Sequence, residues 1–177
     1  MILYTMLEYF SRFVSRTALE NFFLASTGQD YDDLRGAIED LPDDRRFHEI
    51  TDLIFGIDET AVKTKISQVS GCYLFIDYSA IKSSVSALDV QTDLIHVAVT
   101  VAMPHPSDED QFASMLGMDE CLDIIAGIRD FMRNDIDTDL HLQWLQFPTT
   151  ISPFVAKELS NSFGWTMEFD ITGTDII

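Results

Sequence analysis

The residues of this chain best suited to chemistry are a run of aspartates, four histidines, a few serines and two pairs of adjacent acids. In "DIDTD", Asp135, Asp137 and Asp139 alternate as do the first three oxygen donors of a calcium-binding loop. Such a loop also needs a glycine for its turn and a bidentate glutamate at its twelfth place. Those places hold Leu140 and Gln146, so a solvated acidic loop following a helix is expected, binding divalent ions at most adventitiously. His48, His96, His105 and His141 are scattered, with no HExxH or HxH pair to set two zinc ligands on one face. His96 reads as a polar residue on a sheet face. Ser79, Ser83 or Ser84 could serve as a nucleophile beside a histidine, but the strained GxSxG elbow is missing. Asp43 with Asp44, and Asp108 with Glu109, could supply an acid and a base, yet neighbouring surface acids are ordinarily solvated. No glycine-rich phosphate loop occurs. The expectation is no enzyme, no catalytic residue, no cofactor and no metal.

Cys72 and Cys121 fall within apolar patterns and lack CxxC or Cys/His spacing. Two reduced core thiols in a cytosolic setting are expected rather than a disulfide or a metal site. Acids outnumber Lys plus Arg by 30 to 11, giving a formal net charge of -19, which disfavours attraction to nucleic-acid phosphates and favours a basic partner. Apolar residues make up 46% of 177 residues, including 13 Phe, enough for one domain with a real core. The opening "MILYTMLEYFSRF" has an acid and no basic leader region, and the uncharged runs 94–107 and 141–156 are short and carry prolines, so neither export nor a membrane span is expected.

These residues must be positioned by a helical part, 1–70, and a mixed part, 71–177, of a single α+β domain. Over 2–14 the apolar positions recur at three and four, predicting a helix. Thr17 and Glu20 have capping-box spacing for a second helix ending before Gly28. Asp30 can cap a third over 31–41, and Asp44 a fourth over 45–55 whose Phe47, Ile50 and Ile54 align before Gly56. Segment 58–69 fits either period, with helix preferred. Beyond Gly71 the period becomes two: strands are expected over 72–81 and 93–103, the second with Ile95, Val97, Val99, Val101 and Met103 on its apolar face. "MDECLDIIAGIRDFMRND" predicts a helix with Asp119 and Glu120 at its start and Arg129 and Arg133 at its end. A proline-limited strand suited to an edge is expected within "LQWLQFPTTISPF", and "WTMEFDIT" supplies a last strand with Trp165, Met167, Phe169 and Ile171 on one face. The economical arrangement is an antiparallel β-β-α-β-β sheet carrying the helix on one face.

Surface residues then carry the functional reading. The reverse face of strand 94–102 (Leu94, His96, Ala98, Thr100 and Ala102) is small enough for the chain's own helices or a neighbouring sheet to approach. Trp144, Phe147 and Phe154 sit in an apolar, irregular segment suited to an interface. After Met103, Pro104 and Pro106 stop the strand, and with His105, Ser107, Asp108, Glu109 and Asp110 they form a stiff solvated arm reaching toward a neighbour.

The order of an N-terminal helix, two strands with a proline-rich extended loop, an amphipathic helix and two closing strands ending in "GWTMEFDIT" resembles the tail terminator and tail completion proteins of tailed bacteriophages, over about residues 71–172 plus the first helix. The stretch from about 30 to 69 is additional to that pattern. The resemblance implies a homo-oligomeric ring, commonly a hexamer, at the head-proximal end of a tail. Such a ring binds tail-tube and connector proteins and passes DNA as cargo through its centre, where acids would repel phosphate. It implies assembly in the host cytoplasm, then a place in the virion, with no membrane contact and no residue-level site. The alternative is an acidic inhibitor imitating DNA, with the eleven acids between Asp30 and Glu59 as its active surface.

Overall fold

A computed structural model describes residues 2–24, 32–85, 89, 91–105, 111–138, 145–148 and 150–173. Helix α1 (Ile2–Ser11) turns Met6, Tyr9 and Phe10 into a core that Phe13 and Val14 extend just beyond its end. Helix α2 (Arg16–Phe23) is capped by Ser15 rather than Thr17, its hydroxyl accepting from the Ala18 amide at 3.2 Å. Ser15 is extended and so occupies the capping position, while Thr17 already lies inside the first turn. Helix α3 (Asp32–Glu39) buries Ile38 and opens with Asp32 and Asp33, favourably placed at its positive end. The expected Asp30 cap and the Gly28 stop lie outside the described residues.

The expected helix over 45–55 is not formed. Arg46 sends its buried guanidinium to the carbonyls of Ser11 at 3.2 Å, Val14 at 2.8 Å and Leu41 at 3.2 Å, and to Asp43 at 2.5 Å, which holds 41–46 as a turn. The chain then runs on as strand β1 (Ile50–Phe55), parallel to strand β2 (Cys72–Tyr78), with helix α4 (Glu59–Ile66) as the crossover. Leu53 faces α1 and α2 while Ile54 faces α4. Burial on both faces is reached at Leu53 and Ile54, while Thr51 and Asp52 interrupt the apolar run that would have marked a strand, which left the helical spacing of Phe47, Ile50 and Ile54 as the stronger local pattern. The preferred helix within 58–69 is present as α4.

Strand β3 (Lys82–Val85) is short and exposed, and pairs with strand β4 (Gln91–Met103). After β4 comes helix α5 (Gln111–Thr138), then strands β5 (Thr150–Ala156) and β6 (Ser162–Gly173). Among the described residues the sheet runs β1-β2-β4-β6-β5, with β3 off that path. The antiparallel sheet expected over 71–177 is present, and β1, from the part before it, adds one parallel edge. The register sets Val97 opposite Phe169 and Val99 opposite Met167, all of them in the main core. α1, α2, α3 and α5 contribute to that core, and α4 covers a second, smaller one on the other face around Ile54, Tyr73 and Ala102. The sheet thus carries helices on both faces. The reverse face of β4 is buried at Ala102 and Thr100 and exposed at His96, whose Nδ1 lies 3.0 Å from Asp170.

Close approaches fix this packing. A Cβ on Gly164 would lie 2.1 Å from the Val101 carbonyl, so β6 meets β4 there without room for a side chain. A Cβ on Gly117 would lie 2.9 Å from Met103 sulfur and the Phe163 ring, so α5 crosses the sheet end at that residue. No helix among the described residues is long and apolar enough to cross a membrane.

Candidate interaction surfaces

The longest helix organises the surface. α5 starts at Gln111, earlier than the expected Met118, so Asp119 and Glu120 lie within it rather than in its first turn, and Arg129 and Arg133 fall short of its last. The earlier start places Phe112, Met115 and Leu116 on its first two turns, 67%, 55% and 52% exposed. Their spacing of three and four was visible in the sequence. The prolines and acids before them suggested a loop instead.

At its other end α5 incorporates Asp135, which is not in a solvated loop. Asp135 is 4% exposed, accepts from the Tyr9 hydroxyl at 2.9 Å and pairs with Arg45 at 2.5 Å. Arg45 also lies over the Phe131 ring, 5.3 Å from its centroid. Burial, then the Asp135 carboxylate, drives the Tyr9 phenol well above its ordinary range. Asp137 belongs to the same helix and Asp139 lies outside the described residues. Among the described residues no group of three or more His, Cys, Asp or Glu could hold a metal ion.

One face of α5, built from Glu120, Asp123, Ile124, Gly127, Asp130, Phe131 and Asn134, runs beside the segment Asp44–Glu49. Two open cavities lie between them. One of about 440 Å³ is lined by Phe47, Glu49, Glu120, Asp123 and Ile124. The other, of about 520 Å³, is lined by Asp44, Arg45, Gly127, Asp130, Phe131 and Asn134. Phe47 lines the first and lies beside Gly127, which lines the second. A Cβ on Gly127 would come within 2.7 Å of its ring, and Phe131 meets it edge-on at 6.4 Å. The result is a groove with an aromatic floor and acidic walls. A third cavity, of about 400 Å³ beside the end of β1, is lined by Phe22, Phe55, Ile57, Val62 and Tyr78, with Asp58 and Lys65 as its charges. Asp58 caps α4 through the Ala61 amide at 2.7 Å, and Lys65 faces Asp52, whose pKa is raised by burial against the opposing Thr51 hydrogen bond and lysine charge.

Among the described residues, those expected at an interface fall at separate places. Pro104 and His105 follow β4 half-buried, while Pro106, Asp108, Glu109 and Trp144 lie outside the described residues. His105 packs edge-on against Phe163 at 5.2 Å, and its Nε2 lies 2.6 Å from the Ser114 hydroxyl. That distance suits a base and a nucleophile, and neither residue lines any of the three cavities above. Phe147 is exposed beneath Arg133, at 5.6 Å. Phe154 is not an exposed anchor: it packs half-buried against the smaller core, because β5 turns it toward α4. Ser79, Ser83 and Ser84 are exposed, and Ser83 donates to Asp93 at 2.5 Å without a histidine partner.

Cys72 and Cys121 are buried free thiols. The Cys72 thiol is held far above its usual range, first by its hydrogen bond with Cys121 and then by burial, which suppresses the reactive thiolate. Among the acids between Asp30 and Glu59, Glu39 and Asp43 are ion-paired and Asp58 is a cap, so part of the surface a DNA imitator would present is already engaged by the fold. No family model, curated protein or solved structure matches the chain.

Proposed function

We propose that this is a structural protein that assembles into a closed homo-oligomeric ring, of the kind found at the head-proximal end of a bacteriophage tail, with no catalytic role. The observation that carries the reading is the apolar stripe Phe112, Met115 and Leu116, exposed on a chain of net charge -19. So acidic a surface keeps a protein apart from its copies unless a defined apolar contact overcomes the repulsion. The stripe lies close to the end of β4, since Gly117 of the same helix packs against Met103, so a neighbour reaching the stripe would meet that end of the sheet. A contact between two different patches, repeated around an axis, closes a ring, and acids around its centre would let DNA slide. Tail-tube and connector proteins would be the partners above and below.

Native mass spectrometry and electron microscopy of the full chain test this. A closed ring is expected, and Phe112→Ser with Met115→Ser should convert it to a monomer with an unchanged melting midpoint. A monomer at every concentration up to tens of micromolar would end the ring reading, and competition with DNA for a basic enzyme would then favour the inhibitor.

A further inference from the structure

The groove between Asp44–Glu49 and α5 combines an apolar floor with negative charge that the fold leaves unanswered. Asp44, Glu49, Glu120 and Asp123 are exposed and make no ion pair among the described residues. Asp130 meets Arg129 only at 3.7 Å. Among the described residues the cation lining the groove is Arg45, which is held by Asp135 and by the Phe131 ring and also feels the Asp44 charge, so it offsets Asp44 in part and leaves Glu49, Glu120 and Asp123 unanswered. The floor is Phe47, Ile124 and Phe131, and the two cavities, one lined by Phe47 and the other by Phe131, can each receive a side chain.

We infer that this groove is a docking site for a basic, amphipathic helix of another protein. Its length favours a helix: Glu120 to Asn134 spans about 21 Å at 1.5 Å per residue, some four turns. A partner helix laid alongside would place apolar anchors at three- and four-residue spacing onto Phe47 and Phe131, and Lys or Arg between the acids of the two walls. A basic partner suits this groove better than a second copy, whose net charge of -19 would be brought against acids of the same sign with no apolar stripe of its own to offset them here. The site is separate from the Phe112 stripe, so it stands or falls independently of ring formation.

A synthetic helical peptide of alternating leucine and lysine faces is the probe, titrated by calorimetry against the full chain. Binding should weaken as salt rises, and the same peptide with glutamine for lysine should bind at least about tenfold more weakly. Glu120→Lys with Asp123→Lys should reduce affinity by a similar factor, while the same reversal at Glu158 and Glu168, exposed on the turn before β6 and on β6 itself, should leave it within about twofold. If the lysine pair compromises folding, Glu49→Gln with Glu120→Gln and Asp123→Asn carries the same comparison. Equal loss from both sites, or none from the groove, overturns the assignment, as does undiminished binding of the glutamine peptide.

Discussion

Tyr9 and Asp135 are hydrogen-bonded at 2.9 Å although 126 positions separate them in the chain. The bond ties α1 to the end of α5, and Asp135 answers Arg45 from the same buried position. Asp135→Ala removes the acceptor of the buried Tyr9 phenol and the partner of Arg45, leaving the phenol beside an apolar gap. A loss of about 3 kcal/mol is expected, or roughly 6–12 °C in melting temperature. Asp135→Asn keeps a partner for Tyr9, and Arg45 is exposed enough to rotate into water, so about 1–2 kcal/mol should be lost. Thermal unfolding of both variants checks the order. Because Asp135 is already engaged, micromolar calcium should not raise the melting temperature of the parent protein.

Gly164 and Gly36 form a second test by contrast. Gly164→Ala pushes a methyl into the Val101 carbonyl and Ala102, both backbone contacts that cannot swing aside. A loss of about 3 kcal/mol or more is expected from the forced separation of β4 and β6. Gly36 sits in α3 with open space where a Cβ would project, so Gly36→Ala should add about 0.5–1 kcal/mol. Denaturant midpoints moving the same way in both would contradict this packing.

Acid should act on the fold through two opposed carboxylates. Burial raises the Asp77 pKa above its ordinary value, while the Tyr78 backbone and His96 pull it down. A carboxyl whose folded pKa is raised weakens the fold when charged, so stability is recovered as pH falls through that raised value toward the unfolded one. Asp43 is the reverse: hydrogen bonds from Arg16 and Arg46 lower its pKa, so its contribution is present above the unfolded value and lost only as pH falls through the lowered one. Asp77→Asn should therefore raise neutral-pH stability by a fraction of about 1 kcal/mol, discounted for its partial exposure, and should abolish the recovery in mild acid. Melting temperatures from pH 7 to pH 3 for parent and variant give the comparison.

What the sequence by itself determined was whatever a local period can encode. β4 and β6 alternate over ten or so positions, and one face of each is now the core, because a two-residue period admits only one assignment of faces. Cys121, Ile125, Ile128 and Met132 were likewise legible as the buried stripe of α5. The tertiary structure decided the rest. β1 became a strand because Cys72 to Ile76 supply a parallel partner about twenty residues on, and the apolar residues of "ITDLIF" gain burial on both faces only beside that partner. The first turns of α5 formed beyond the acids that suggested a loop, and with them the exposed Phe112 stripe. The groove needed both events: ending the 45–55 segment as turn and strand puts Phe47 against Gly127, and no spacing along the chain could show that those two residues meet.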